Sequence, residues 1–470
     1  MTPWELRTGY VRVLAQRNQN GMLVSAANDL LKGDSPVGAM REYIQRNAAP
    51  DFLIDGEFGA LPIWDGADQR PAVSSRDRGE KASALLALDK SKKFLIRAYV
   101  SPESLANPGF NNGEPVWLDP DVRGQLALPP ANKATGDIEM VRQDLNTATL
   151  QHNSLHGAGV AVAIVDTGIC KSHLETRFGF NPNLDVGNSW TPPTVATTPG
   201  FHRIGHGTMC AYGVLAVAPK VTLLDYPLLL GRPAGEHTVS ATISEMMRGY
   251  LMLIWRWAVT GAIPQTALVV NNSWGIFHPS LDDFPPGDPR RYIDNPYHPF
   301  RLYIWLLTAF GADVVFAAGN CGDGCPNAVC LQRTEGMIMG ANAYDEVLTL
   351  AGCDIQDARV CYSSQGPSIA GMSPRKPDIT AYTQFLGSKV LRGPRGFEPD
   401  TGTSTSCAVA SGCIAALRTV QSPMATDPAA MIAVLKATAR PQGGAVPNYD
   451  YGYGIVRPVA AGRSLGIIPP

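Results

Sequence analysis

The chain has 470 residues, of which 45% are hydrophobic and 17% are charged, and its formal net charge is -2. This composition excludes global disorder, and the near-neutral charge gives no indication of a nucleic acid or an anionic membrane as partner. At roughly 100–200 residues per domain, the length predicts two or three domains, or one large domain with an extension.

The N-terminus carries charged residues throughout and lacks the apolar run of a signal peptide, so we expect a cytoplasmic protein. The most apolar stretch, residues 251–255, is far too short to span a membrane. The cysteines number nine, and an odd count fits reduced thiols as well as disulfides.

Residues 1–50 are predicted to be helical. Apolar residues recur at helical spacing over residues 3–18, and residues 38–47 (GAMREYIQRN) predict a second short helix. Residues 93–100 (KFLIRAYV) predict a strand.

A Pro- and Gly-rich connection over residues 101–138 marks the main domain boundary. We therefore predict an N-terminal pro- or regulatory region at 1–138 and a second domain at 139–470. The N-terminal region has two interpretations, either an inhibitory segment that is cleaved off or a retained regulatory or partner-binding region.

Beyond residue 139, short apolar runs rich in β-branched residues alternate with helical stretches. The runs lie at 159–168, 221–229, 267–275, 312–320 and 347–352. The helix candidates lie at 241–261, 298–311 and 427–440. Near-continuous apolar strands are typical of parallel sheets covered on both faces. The alternation predicts an α/β doubly wound domain with its active site at the carboxyl ends of the strands.

Three short motifs offer a nucleophile, a base and a residue that orients the base. Asp166 closes the first apolar run, whereas His206 and Ser404 each open a helical segment. A serine hydroxyl must pass its proton to a neighbour, and histidine titrates near neutrality and can both take and return it. A buried aspartate fixes the imidazole tautomer. These three residues are the candidate catalytic triad.

Asn320 ends the run at 312–320, where its side-chain amide could donate a hydrogen bond to a developing oxyanion. The backbone N–H of Ser404 could be a second donor, because amides at a helix N-terminus lack intrahelical partners.

The motifs DTG, GHGT, AAGN and GTS resemble the Asp, His, Asn and Ser signatures of the subtilisin-like (S8) serine peptidases, in the order of that family. They lie at 166–168, 205–208, 317–320 and 402–404. Supporting segments lie at 272–275, 363–368, 376–382 and 451–456, so the resemblance covers about 140–462. One departure is Ala408, where the family usually has proline; alanine should let the helix persist.

The resemblance implies a subtilisin-like three-layer fold with a mostly parallel sheet, here with an N-terminal α+β extension. It implies a serine endopeptidase that works through an acyl-enzyme on protein or peptide substrates. The implied substrate-binding residues are Ser273, Trp274, Gly275, Ala318 and Gly319. The wall at 317–319 is expected to leave room for a sizeable side chain on the acyl-side residue, which is the substrate residue whose carbonyl is attacked.

No metal or other cofactor is needed for the implied hydrolysis. Structural calcium is frequent in the family, yet no cluster of ligand residues in the sequence supports it. Two alternatives stay open, a peptide ligase or macrocyclase with the same triad and an inactive binding module on the same scaffold.

The cysteines allow several interpretations. Cys321, Cys325 and Cys330 lie in one loop after Asn320, and a local disulfide or redox-sensitive pair, free thiols and a metal site all stay open. The cysteines near the triad motifs are interpreted as buried small hydrophobic residues; they are Cys170, Cys210 and Cys407.

Overall fold

The computed structural model describes most of the chain in detail beyond residue 132. The described residues are 133–230, 240–282, 284–288, 291–388, 392–393 and 396–470, with strands at 7–14, 53–54, 61–63, 93–100, 117–120 and 123–125. The chain divides into two compact units. The first comprises 1–122, 282–292 and 297–302, and the second comprises 123–281, 293–296 and 303–470. The predicted boundary at residue 138 stays a prediction.

The first unit contains an antiparallel sheet. Its strands are Arg7–Leu14 (β1), Leu53–Ile54 (β2), Leu61–Ile63 (β3), Lys93–Val100 (β4) and Trp117–Pro120 (β5). Strand β1 pairs with β4 along its whole length and with β5 on its other edge. The predicted strand at 93–100 is therefore confirmed.

The helix predicted over residues 3–18 is wrong at 7–14, which form β1. The segment RTGYVRVL is rich in Thr, Tyr and Val, which favour a pleated strand, and its pairing with β4 satisfies the backbone groups that a helix would have satisfied internally. The helix predicted at 38–47 lies outside the described residues.

The second unit is built on a seven-stranded sheet. Its strands are Val160–Val165 (β8), Asn183–Leu184 (β9), Thr222–Tyr226 (β10), Ala267–Asn272 (β12), Ala312–Ala317 (β13), Leu348–Cys353 (β14) and Ile379–Tyr382 (β15). Short strands outside this sheet are Arg123–Gln125 (β6), Gly136–Asp137 (β7), Ser240–Thr242 (β11), Phe385–Leu386 (β16), Arg392–Gly393 (β17) and Gly396–Phe397 (β18).

Helices flank this sheet. They are Ile138–Asp144 (α1), Thr147–His152 (α2), Lys171–Phe178 (α3), His206–Val217 (α4), Ile243–Ile254 (α5), Phe300–Ala309 (α6), Thr403–Arg418 (α7), Pro428–Thr438 (α8) and Pro458–Ser464 (α9). Helix α5 continues as a π-helical turn over Trp255–Val259. Helix α8 begins after Asp427, whose side chain accepts a hydrogen bond from the N–H of Ala430, as the sequence predicts for an N-cap.

The strand order of the large sheet is β15-β14-β13-β12-β8-β10-β9, and every neighbouring pair is parallel. All residues of β8, β12, β13 and β14 are buried, which agrees with the continuous apolar runs of the sequence. The predicted α/β class with a mostly parallel sheet is confirmed. Strands β9 and β10, which follow β8 in the chain, lie on one side of β8, whereas strands β12 to β15 lie on its other side. The topological switch point therefore lies between β8 and β12.

Two buried helices, α4 and α7, pack closely against each other over the sheet. A Cβ atom added at Gly213 would lie 2.9 Å from Cβ of Ala408, so a larger residue at either position would force the helices apart. Helix α7 continues through Ala408 to Arg418, which confirms that the missing proline leaves the helix intact.

None of the helices within the described residues combines the length and the apolar character that a membrane span requires.

Candidate active site

Asp166 follows β8 directly and is completely buried. Its N–H donates to the carbonyl of Tyr226, and its Oδ1 accepts a 2.7 Å hydrogen bond from the N–H of Thr167. The carboxylate is therefore fixed at the carboxyl end of the sheet, beside the switch point, where ligands bind in open parallel sheets.

His206 is the first residue of α4, and its Nδ1 lies 2.9 Å from both carboxylate oxygens of Asp166. The N–H of Gly207 donates to Oγ1 of Thr167 at 3.0 Å, which ties the helix start to the Asp166 loop. A Cβ atom at Gly207 would lie 2.6 Å from the carbonyl oxygen of Gly168, so only glycine permits this approach. Because Nδ1 faces the carboxylate, Nε2 is the ring nitrogen that can exchange a proton with substrate groups.

Cys210 lies one helical turn after His206 and adds a further contact to the Asp166 carboxylate. Its Sγ donates to Oδ2 of Asp166 at 3.6 Å. Burial, together with the neighbouring Asp166, raises the pKa of the Cys210 thiol well above its usual value, so the thiol stays protonated. Asp166, His206 and Cys210 are the group of described residues that could hold a metal ion. The hydrogen bonds of His206 Nδ1 and Cys210 Sγ to the Asp166 carboxylate are those of a triad in which the aspartate orients the imidazole.

Ser404 is the second residue of α7 and is buried. Its Oγ lies 3.4 Å from the carbonyl oxygen of Ser273, and Oγ of Ser273 donates to the carbonyl of Ser404 at 3.2 Å. Among the hydrogen bonds of the described residues, none joins Ser404 to His206. The structure thus brings Asp166 and His206 together and places the Ser404 hydroxyl on Ser273. Catalytic hydrogen bonds are often long or misaligned before substrate binds.

Asn320 is held by the residue that precedes Ser404. Its Oδ1 accepts a hydrogen bond from the N–H of Thr403 at 2.9 Å and lies 3.1 Å from Thr403 Oγ1. The same Oγ1 accepts from the N–H of Gly319 at 3.0 Å. Because Thr403 occupies the oxygen of the Asn320 amide, the group has a fixed orientation, and its nitrogen is the end that can donate to a substrate oxygen.

The other sequence-predicted site residues lie on the ends of β12 and β13. The Trp274 side chain is fully buried and packs edge-on against Phe316, with 5.6 Å between the ring centroids. Ala318 is also buried, and its N–H donates to the carbonyl of Leu350. The side chains of Trp274 and Ala318 therefore belong to the core, and only their backbone could meet a substrate. The substrate-binding roles stay predictions.

A second buried acid, Asp225, was not among the residues singled out from the sequence. It lies in β10, and its Oδ2 accepts from the N–H groups of Gly200 at 2.8 Å and Ile169 at 3.1 Å. These bonds join the loop after Asp166 to the loop before His206. The sequence signal was a charged residue inside the apolar run VTLLDYPLL.

Burial raises the pKa of Asp225 to about 7; the two backbone N–H donors oppose this rise, and the neighbouring Asp166 adds to it. His202 lies close by, with its Nε2 3.7 Å from Oδ2 of Asp225, and burial lowers the pKa of this histidine. Both side chains are buried, so Asp225 and His202 are a second acid and histidine in close proximity.

Two disulfides lie next to Asn320. Cys321 pairs with Cys330 and Cys325 pairs with Cys361, with Cα–Cα distances of 5.7 and 5.2 Å. The structure therefore selects disulfides from the alternatives that the sequence leaves open for this loop. Sγ of Cys330 lies 3.6 Å from the carbonyl oxygen of Asn320, so the first disulfide packs against the backbone of the candidate oxyanion donor.

The comparisons with known proteins place the chain in a family. Residues 157–454 match the model of the subtilase family, peptidase S8, and the chain belongs to that family. The matched residues include Asp166, His206, Asn320 and Ser404, and the resemblance seen in the four motifs is confirmed.

Several curated relatives are proteases by name. The chain is 28% identical over 322 residues to the human membrane-bound transcription factor site-1 protease, a match that covers 67% of this chain and 26% of that protein. It is 27% identical over 389 residues to mycosin-1 of Mycolicibacterium smegmatis, covering 74% of this chain and 82% of that protein. The chain thus spans about a quarter of the length of the site-1 proteases it matches.

Among solved structures, the chain is similar to the crystal structure of MycP1 with its N-terminal propeptide removed. The identity is 25%, the TM-score is 0.48, and the match covers 68% of this chain and 96% of that one.

We predict that Asp225→Asn makes stability less dependent on pH. The variant keeps an oxygen for the Gly200 and Ile169 N–H groups but cannot ionise. A carboxyl whose folded pKa is raised binds more protons in the folded than in the unfolded state between about pH 4 and pH 7, so the wild-type protein loses stability as the pH rises through this window. The free energy of unfolding would be measured by denaturant titration near pH 5 and pH 8 for both proteins. The difference, variant minus wild type, should be larger at pH 8 than at pH 5. An equal difference at both pH values would contradict the raised pKa of Asp225 in the folded state.

Proposed function

We propose that this subtilase is a serine endopeptidase with Ser404 as nucleophile, His206 as general base and acid, and Asp166 as the residue that orients the imidazole. The observation that carries the proposal is the contact of His206 Nδ1 with both oxygens of the buried Asp166, at 2.9 Å each. This contact leaves Nε2 for proton transfer, and the nucleophile stands at the start of the neighbouring helix α7.

The first step would be attack of Ser404 Oγ on the scissile carbonyl as His206 takes the hydroxyl proton. For this step the hydroxyl has to leave the carbonyl of Ser273, a long contact of 3.4 Å, and turn toward the imidazole. A rotation about the Cα–Cβ bond of serine meets only a small barrier between staggered rotamers. The imidazolium then returns the proton to the leaving amine, and water resolves the acyl-enzyme by the same route.

The developing oxyanion would be stabilised by two donors, the side-chain amide of Asn320 and the backbone N–H of Ser404. The Asn320 amide is oriented in advance because Thr403 holds its oxygen with two contacts. Donors that are fixed before the reaction cost no reorganisation when charge develops, which is why such sites often supply the largest single contribution to catalysis.

The substrate would be a protein or peptide in extended form, paired with the backbone near Gly275 at the carboxyl end of the sheet. The family requires no cofactor for its chemistry. Structural calcium stays a possibility that no observation of the described residues supports. The alternatives of a ligase and of an inactive binding module are not favoured by any feature of the site.

Two further expectations from the sequence stay predictions. One is that residues 1–138 restrain the enzyme or bind a regulatory partner. The other is a cytoplasmic location, against which the two disulfides weigh, since disulfides are typical of oxidising compartments.

We expect Ser404→Ala to abolish peptide hydrolysis and to leave the fold intact, because it removes only the attacking oxygen. Ser406→Ala is the matched control, since Ser406 is buried on the same helix and its hydroxyl has no hydrogen-bond partner among the described residues. Turnover of a fluorogenic peptide library and thermal unfolding would be measured for both variants. Near-normal turnover by Ser404→Ala would show that Ser404 is not the nucleophile.

We expect Asn320→Ala to lower kcat by about 10²–10³ with little change in KM, a magnitude carried over from an oxyanion donor in another subtilase. The amide would bond mainly to the transition state, so ground-state binding should not depend on it. Asn320→Asp is the sharper variant, because it keeps an oxygen for Thr403 but lacks the N–H donor. A rise in KM at unchanged kcat would show that Asn320 acts elsewhere.

A further inference from the structure

Two glycines flank the residues that would act on the scissile carbonyl. Gly275 lies two residues after Ser273, whose carbonyl contacts Oγ of Ser404. Gly319 exchanges hydrogen bonds with Thr403, because its N–H donates to Thr403 Oγ1 at 3.0 Å and its carbonyl lies 3.1 Å from the same atom. Since neither glycine has a side chain, the space between them is where the side chain of the acyl-side substrate residue could enter.

This space is already filled by an aromatic ring. A Cβ atom built on Gly275 would lie 3.3 Å from Cε1 of Phe277, and one built on Gly319 would lie 3.2 Å from the same ring atom. The edge of the Phe277 ring therefore faces both glycines at once. Only 5% of Phe277 is exposed, so the ring is a packed part of the site. This finding differs from the expectation that the 317–319 wall leaves room for a sizeable side chain.

The walls of this space are joined to each other by hydrogen bonds. Nδ2 of Asn342 donates to the carbonyl of Trp274 at 2.9 Å and to the carbonyl of Ala317 at 2.8 Å, which joins the end of β12 to the end of β13. The carbonyl oxygen of Phe277 lies 3.8 Å from Sγ of Cys321, a member of the first disulfide. Because both walls and the backbone of Phe277 are fixed, a large substrate side chain would have to displace the ring.

We propose that Phe277 fills the pocket for the acyl-side residue and makes the enzyme selective for small side chains, such as those of Gly, Ala and Ser, at that position. The inference rests on the proposed endopeptidase function. A substrate with Leu or Phe there would lose the binding contribution of that side chain, or it would expel a buried phenyl ring. Either cost is expected to exceed that of a single methylene, which is about 10-fold or more in kcat/KM.

The test uses the full chain and peptides that differ only at the acyl-side residue, which is Ala, Leu or Phe. We expect the wild-type protein to cleave the Ala peptide at least about 10-fold more efficiently than the Phe peptide. Phe277→Ala should raise kcat/KM for the Leu and Phe peptides, relative to kcat/KM for the Ala peptide, by about 10-fold or more. Phe277→Leu should give a smaller gain and serves if the Ala variant does not fold.

The matched control is Phe310→Ala. Phe310 is also 5% exposed but precedes β13 and thus lies at the amino end of the sheet, so its loss should lower stability without changing the ratio of the three peptides. Equal cleavage of Ala and Phe peptides by the wild-type protein would overturn the inference. The inference would also be overturned if both Phe277 variants still react with a small fluorophosphonate but keep the wild-type ratios of kcat/KM among the three peptides. If the folded wild-type protein neither reacts with that probe nor cleaves any peptide, the proposed function itself fails, and the inference falls with it.

Discussion

The bond between Thr403 and Asn320 is the contact on which the candidate site depends most. It joins the first residue of α7 to the segment that follows β13, and it fixes the helix that carries Ser404 against the sheet. The same threonine also holds Gly319, which keeps that segment close to the nucleophile. One residue therefore sets the direction of the Asn320 amide and the position of Ser404 together. Loss of this contact would separate the nucleophile from its oxyanion donor without touching the Asp166–His206 pair.

On the other side of the switch point, a buried acid has a comparable role. Asp225 bonds the backbone that follows Asp166 and the backbone that precedes His206, so each of these residues is held by its neighbours as well as by its partner. The cost of burying this carboxyl is visible in the raised pKa of Asp225, which is caused first by burial and only to a smaller extent by the neighbouring Asp166. The parallel sheet makes this arrangement possible because it brings the carboxyl ends of β8, β10, β12 and β13 to one edge.

The large sheet and the four motifs could be predicted from the sequence because their signals are local. A continuous apolar run such as 160–165 is typical of a parallel strand that is buried on both faces. Each of the four motifs follows such a strand or begins a helix. The strand at 7–14 is predicted as a helix because its apolar spacing also fits a helix, and the pairing that decides in favour of a strand is with 93–100, far along the chain. The disulfide partner of Cys325 was hidden for the same reason, because it lies 36 residues away. The contact of the Phe277 ring with Gly319 is a tertiary contact that no local sequence pattern predicts.

Ser404, activated by His206, is the proposed nucleophile of this subtilase. Mapping the site of a fluorophosphonate adduct by peptide mass spectrometry tests it most directly, because the probe reacts with an activated serine and needs no knowledge of the substrate. The adduct should appear on Ser404 in the folded full-length protein and should be lost in His206→Ala. An adduct on another serine, or labelling of Ser404 that persists undiminished in His206→Ala, would contradict the claim.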